Sequence, residues 1–176
     1  MRSEEVRLLA EGLQPADALE ADYRTQLLAL VDTVEDPWRR DRYQPGHLTA
    51  SAFLLHPSDP AIALVHHAKL DIWVQPGGHV ESDDDNHEAA ARREVAEECR
   101  IDRVETIGVI DLDIHVFPER GATPHHLHLD LRWAFRAVTS TLAAGDGTLA
   151  VRWVPLVEAT GMDESIARPA RKLLNL

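Results

Sequence analysis

The sequence predicts an α+β domain built in layers, and three observations carry that reading. The first 35 residues repeat apolar side chains at helical spacing. From His47 onward, short, partly β-branched runs alternate with turn residues. Among these runs lies one strongly helical segment, "HEAAARREVAEEC". Strands and helices interleave too irregularly for a doubly wound parallel sheet, so an α+β layering fits better. At 176 residues the chain is long enough for one domain with a sizeable core.

The elements follow in order. In "DALEADYRTQLLALVDTV", Leu19, Tyr23, Leu27, Leu30 and Val34 recur at steps of four, four, three and four, which makes one apolar stripe on a helix. Pro15 stands near the start of that helix and Pro37 marks its end. The stripe offers a face either for packing within one chain or for a homodimer. "WRRDRYQPGH" is a connector with Pro45 and Gly46 as turn residues. "LTASAFLLH" and "AIALVHH" read as two strands joined by "PSDP", and "DIWVQ" as a third, ended by Pro76-Gly77-Gly78. A helix from Asn86 or His87 to Cys99 comes next, dense in Ala, Glu and Arg. Asp83, Asp84 and Asp85 precede its first turn, where the helix dipole favours negative charge. "TIGVIDLDIHVF" and "HLHLDLRWAFRAV" alternate as two longer strands, "TLAVRWVPL" adds another, and "SIARPARKLL" is a closing helix interrupted by Pro169.

Charge and composition exclude several functions. The formal charge is −12, from 18 Lys+Arg against 30 Asp+Glu. There is no basic stripe, so a long nucleic acid is not the expected partner, and neither is an anionic membrane surface. A small phosphorylated substrate remains open if a metal ion or a few local cations screen it. No run approaches transmembrane length, and the acidic first residues do not read as a secretory leader. The single cysteine, Cys99, allows no intrachain disulfide, and a reduced, cytoplasmic protein is expected.

The chemistry concentrates after Gly77-Gly78, where eight carboxylates fall between Glu81 and Glu98. Glu94, Glu97 and Glu98 stand at i, i+3 and i+4 and share one helix face. Like charges so placed repel, which costs stability unless a cation joins them. Clustered carboxylates suit Mg²⁺ or Mn²⁺, often shared with substrate phosphates. The opposite face, Ala91, Val95 and Cys99, faces the core, so Cys99 reads as a small packing residue rather than a nucleophile. An acidic helix alone is most often a solvated face; the order and spacing of these residues raise the functional reading.

The stretch Gly78–Ile101 resembles the Nudix box, G-x5-E-x7-R-E-U-x-E-E-x-G-U, with U a bulky apolar residue. Gly78 takes the opening position, Arg93-Glu94-Val95-Ala96-Glu97-Glu98 matches R-E-U-x-E-E, and Ile101 the last apolar position. There are two departures. The loop before Arg93 is one residue longer, so the box glutamate falls on Asp84 or Asp85, and Arg100 replaces a glycine. The second predicts a left-handed residue under modest strain, or a different helix exit.

The resemblance implies a Nudix-type α/β/α sandwich with a mixed central sheet over residues 46–176, preceded by a helical extension and connector at 1–45. It also implies divalent-metal-dependent hydrolysis of a diphosphate linkage, usually in a nucleoside diphosphate derivative. Glu94, Glu97 and Glu98 would hold Mg²⁺ or Mn²⁺ with the Gly78 carbonyl, Glu94 is a candidate base, and Arg93 anchors the loop. The alternative is a non-catalytic Nudix domain that senses a nucleotide or ADP-ribose, but such modules usually lose box glutamates that are all present here. An isoprenoid diphosphate isomerase needs a catalytic cysteine, and Cys99 lies inside the box helix.

Beyond the box, His126, His128 and Asp130 alternate on one strand, as do Asp111, Asp113 and His115 on another. If these strands pair through residues 117–125, both sets line one polar cleft. Solvent exposure is the expected fate of Asp111. His115, His126 and His128 are equally open to exposure or to binding phosphate or metal. Lys69 is a further candidate phosphate contact, although a plain surface turn is the stronger reading, and His79 is equally open to facing the metal site or solvent. Trp73, Trp133 and Trp153 are expected to pack in the core.

Overall fold

The computed structural model describes residues 3–176. In chain order the elements are α1 (Ser3–Gly12), α2 (Ala18–Thr33), β1 (Gly46–Leu55), β2 (Ala61–His67), β3 (Ile72–Val74), β4 (Gly77–His79), α3 (His87–Cys99), β5 (Val104–Phe117), β6 (His126–Ala137), β7 (Thr148–Pro155), α4 (Leu156–Ala159) and α5 (Glu164–Leu174). The strands form one mixed sheet in the order β3-β2-β1-β6-β5, with β4 on β1 and β7 on β2. Only β1–β6 is parallel; the other pairings are antiparallel. This is the α+β sandwich the sequence predicts.

β1 is buried along its whole length because both faces are covered. Ala50, Ala52 and Leu54 pack with Ala90, Ala91, Val95 and Cys99 of α3, and small residues on both sides bring helix and sheet close. Phe53 and Leu55 point to the other face, in the cluster that holds Ile166, Ala170 and Leu173 of α5. Leu48 joins Leu129 and Leu131 of β6 under α1 and α2. His47, Thr49 and Ser51 are the polar remainder of β1 and are buried as well.

Several expectations change in the fold. The stripe on α2 begins at Glu20, not Leu19. Leu19 is 50% exposed, whereas Glu20 is fully buried, and the inward face continues through Tyr23, Leu27 and Leu30. Glu20 faces inward because it is bonded on all sides. One carboxylate oxygen accepts from Ala16 N (2.6 Å) at the helix start, and the other from Leu112 N (3.1 Å) and Lys172 Nζ. The stripe itself packs within the chain.

Pro169 does not interrupt the closing helix, which runs unbroken from Glu164 to Leu174. A proline lacks the N–H that the carbonyl four residues back requires. Here that carbonyl, Ser165 O, accepts from Arg132 Nη1 instead (2.8 Å). Gly77-Gly78 is likewise not a turn but the first two of the three residues of β4, paired with Ser51 and Ala50 of β1.

Asp111 is the largest correction, because it is fully buried rather than solvated. α5 covers this part of β5 and brings cations to it. Arg168 binds both Asp111 oxygens (2.8 and 2.9 Å), Lys172 approaches at 3.1 Å and Arg132 at 3.3 Å. Burial alone would raise the Asp111 pKa, but the Arg168 hydrogen bond and the surrounding cations outweigh it and hold the carboxyl below its ordinary value. Arg168 and Lys172 also bond the Leu112 and Ile110 carbonyls, so the edge of β5, the last strand of the sheet, is capped at these two positions.

No helix among the described residues is long and apolar enough to cross a membrane. Asp111→Ala leaves two buried guanidinium groups short of a partner and is expected to cost about 3–5 kcal/mol of stability in urea unfolding. A loss below about 1 kcal/mol would show the network to be dispensable.

Candidate active site

α3 starts on a conventional cap, with Asn86 Oδ1 accepting from Ala89 N (2.8 Å). Its end is unusual. Arg100 is left-handed, at φ 56° and ψ 38°, as its replacement of a glycine predicts. The strain is offset by residues 143–146, whose N–H groups meet the open helix end. Ala143 N, Gly145 N and Asp146 N donate to the carbonyls of Cys99, Glu98 and Glu97 at 3.2, 3.1 and 3.0 Å. The Arg100 side chain bonds Asp146 on the same segment (2.8 Å).

Arg93 organises the acidic face. Its guanidinium donates to both oxygens of Asp84 (each 3.1 Å), to Glu94 Oε1 (2.9 Å), to Glu97 Oε2 (3.1 Å) and to the His79 carbonyl (2.8 Å). Asp84, and not Asp85, thus occupies the box acid's place: Asp84 is buried, and Asp83 and Asp85 are exposed in the lengthened loop. Asp84 also accepts from Glu81 N (2.8 Å), which closes that loop. With every arm engaged, Arg93 is a positioning residue.

Glu98 accepts from Gly77 N (3.0 Å), so β4 and α3 touch through this carboxylate. At the adjacent position a Cβ on Gly78 would lie 2.5 Å from Glu94 Oε1, so the carboxylate would have to move to make room. Burial, followed by repulsion from the neighbouring acids, pushes Glu98 up to about 8. Burial likewise pushes Glu94 up to about 7, against the opposing pull of Arg93. Arg93 is therefore too little charge for this face. A divalent cation bound by Glu94, Glu97, Glu98 and the Gly78 carbonyl fits the donor chemistry, which is all oxygen.

The second wall is the polar row across β1, β6 and β5. Parallel pairing sets His47, Thr49 and Ser51 opposite His128, Asp130 and Arg132. Antiparallel pairing sets Asp113, His115 and Phe117 opposite Asp130, His128 and His126. Asp130 ties the row together, accepting from Ser51 Oγ (2.7 Å), Thr49 Oγ1 (3.1 Å) and Arg132 Nε (3.0 Å). The resulting cleft, of about 800 Å³, has His115, His126 and His128 along one side and Gly77, Gly78 and His79 along the other. Exposed Arg40, Lys69 and Arg120 stand at its rim. Lys69 lies on the turn after β2, where its carbonyl accepts from Arg120 (3.1 Å).

The sequence-predicted residues thus converge. His115, His126 and His128 face one cleft, and β4 joins that cleft to the box glutamates. His79 belongs to both: its carbonyl is held by Arg93, and its ring lies 5.0 Å from that of His47. Burial and neighbouring imidazoles lower His79 to about 4 and His128 to about 2. Cys99 is buried in the core with its thiol pushed up to about 12, which removes it as a nucleophile. Trp133 is buried, whereas Trp73 and Trp153 pack only partly against the core. His47, Thr49, Ser51, Arg40 and Arg132 were not singled out from sequence. A signal existed for the first three, since they are polar at every second position of an otherwise apolar strand.

Residues 45–176 match the family model described as NUDIX domain. The chain belongs to that family. No curated protein matches it significantly. Among solved structures, this Nudix chain is similar to a NUDIX-family hydrolase from Clostridium perfringens, with 20% identity, TM-score 0.56, and 73% of this chain and 96% of that one covered. It is also similar to an Ap4A hydrolase of C. elegans, at 16% identity and TM-score 0.57, covering 73% and 95%. The NUDIX domain of Shewanella oneidensis NrtR, complexed with ADP ribose, gives 20% identity and TM-score 0.53, covering 72% and 87%. At these identities the likeness is one of fold.

Gly78→Ala is expected to displace the Glu94 carboxylate and weaken Mn²⁺ binding by about 10–100-fold, measured by titration. An unchanged affinity would separate Gly78 from the site. The raised carboxyl groups also set a pH dependence. Between the ordinary value of 4.5 and the folded values of about 7 and 8, the folded, metal-free protein holds more protons than the unfolded chain. Its stability therefore falls as pH rises through that window. Mg²⁺ binds the deprotonated form, so its thermal shift should be larger near about pH 8.5 than near about pH 6.

Proposed function

We propose that this Nudix protein hydrolyses a diphosphate linkage in a small organic substrate, a nucleoside diphosphate derivative, using Mg²⁺ or Mn²⁺. The observation that carries the reading is the placement of the three box glutamates. Glu94 and Glu98 are crowded against Gly77-Gly78, Glu97 stands beside them on Arg93, and all three are under-neutralised and joined by β4 to a cleft of nucleotide size. In this reading Glu94, Glu97, Glu98 and the Gly78 carbonyl hold the ion. When bound, it neutralises phosphate charge and makes a water molecule more acidic and better aligned for in-line attack.

The chain's own residues supply the rest. Arg93 holds Glu94 and Glu97 in place and fixes the loop through Asp84. Glu94, beside the ion it would help to hold, is the candidate base. Lys69, Arg40 and Arg120 at the rim are the cations available to a phosphate chain on this acidic protein. His115, His126 and His128 face the same substrate. Tyr43 and Phe117, each with its ring centroid 5.2 Å from that of His126, offer flat apolar surface to a base. The ADP ribose of the NrtR domain and the Ap4A of the nematode hydrolase agree with this substrate class. We read residues 1–45 as an extension of the catalytic domain at 46–176, supported by the family match starting at 45.

The test is turnover of a panel of nucleoside diphosphate derivatives with Mg²⁺ or Mn²⁺. Glu97→Gln and Glu98→Gln should each lower kcat on the order of 100-fold or more, with the fold retained by circular dichroism. A fully active double variant would place the chemistry elsewhere. Saturable nucleotide binding with no turnover by the wild type would favour a sensor.

A further inference from the structure

Five histidine rings crowd one end of the cleft, and three of them are buried: His47, His126 and His128, at 0%, 4% and 9% exposure. One imidazole nitrogen from each lies within 4.8 Å of those of the other two. This cluster belongs to β1 and β6, not to the acidic helix, and the box pattern does not include it.

The hydrogen bonds determine which nitrogens face inward. His47 Nδ1 lies 2.9 Å from the Arg42 carbonyl, and His126 Nδ1 lies 2.8 Å from the Pro124 carbonyl. A carbonyl only accepts, so both Nδ1 atoms carry their protons there. The neutral rings then present Nε2 lone pairs toward each other. His47 Nε2 is buried and has no hydrogen-bond partner. His126 Nε2 lies 3.1 Å from His128 Nε2. That spacing is close to the roughly 3.3 Å between two nitrogen ligands of a tetrahedral ion at about 2.0–2.1 Å.

We infer that His47, His126 and His128 form a second metal site, distinct from the glutamates and selective for a borderline transition-metal ion such as Zn²⁺. Inward lone pairs repel phosphate oxygens and attract a Lewis acid, so these rings reach an anionic substrate through an ion rather than directly. Carbonyl-anchored imidazoles are the usual outer support of such a site, since they fix ring orientation and tautomer. Neutral imidazole prefers Zn²⁺ to Mg²⁺, whereas the all-oxygen box has the opposite preference. In the ion-free state the neutral His128 donates its Nε2–H to His126 Nε2; on binding, that proton moves to His128 Nδ1 by a change of tautomer, and Nε2 is freed for the ion. The His115 and His79 rings, 5.3 and 5.2 Å from that of His128, leave the fourth position to one of them, to water or to substrate.

The experiment is metal retention. The full chain is given Zn²⁺ in a large excess of Mg²⁺, desalted, and its metal content measured. About one equivalent of zinc should remain on the wild type and on Glu97→Gln/Glu98→Gln, and be lost from His126→Gln/His128→Gln. Co²⁺ should give the wild type an intense visible spectrum of low-coordinate geometry, which tests the site even if the histidine variant fails to fold. No retained zinc together with no such spectrum would overturn the inference. Zinc that followed the glutamates instead of the histidines would overturn it too. The readout is independent of hydrolysis: an inactive protein that held zinc in this pattern would support the second site and count only against the proposed activity.

Discussion

The cleft depends on one buried guanidinium. Arg132, 2% exposed, bonds Asp130 of its own strand, Asp111 and Asp113 of β5, and the Ser165 carbonyl of α5. Asp130 extends this to Thr49 and Ser51 of β1. Three strands and a helix therefore meet on one charge. Burying an ion is tolerable only when its partners are in place, and removal of any one exposes the cost of the rest. The floor of the cleft is accordingly a rigid polar layer with every donor engaged, on which the histidines can be held in fixed orientations.

A second guanidinium does different work. Arg93 gathers Asp84, Glu94, Glu97 and the His79 carbonyl, but it is partly exposed and faces more carboxylate than it can neutralise. Whereas Arg168 with Arg132 holds Asp111, and His115 with Arg132 holds Asp113, below the ordinary carboxylate range against burial, Arg93 leaves Glu94 and Glu98 well above it. The same residue types form a neutralised structural layer in one place and stand under-neutralised in the other. The difference is the ratio of cations to carboxylates at similar burial. His79 connects the two regions, so the oxygen groups of the box and the imidazole cluster lie on either side of a single short strand.

Much of the site was legible because its residues are close in sequence or share a strict period. Gly78, Arg93 and the three glutamates lie within one spaced motif, and helical geometry alone puts Glu94, Glu97 and Glu98 on one face. His115, His126 and His128 were readable from strand alternation. What escaped depends on distant partners. Leu19 read as the first residue of the inward stripe, but Glu20 takes that place because Leu112 and Lys172 meet it from across the edge of the sheet. Pro169 looked like a break, until Arg132 satisfied the carbonyl it leaves open. Asp111 looked solvated because a polar alternation does not say whether a helix covers that face.

The sequence by itself determined the layering, the box with its variant loop, and the faces on which the polar residues stand, because these follow from local periodicity and backbone geometry. Only the tertiary structure decided which charges are neutralised. It chose Asp84 over Asp85 for Arg93, made β4 out of Gly77-Gly78, and brought His47 against His126 and His128 through the parallel β1–β6 pairing. These outcomes depend on register and burial between segments far apart in the chain, and electrostatic cost is set by those contacts rather than by residue identity.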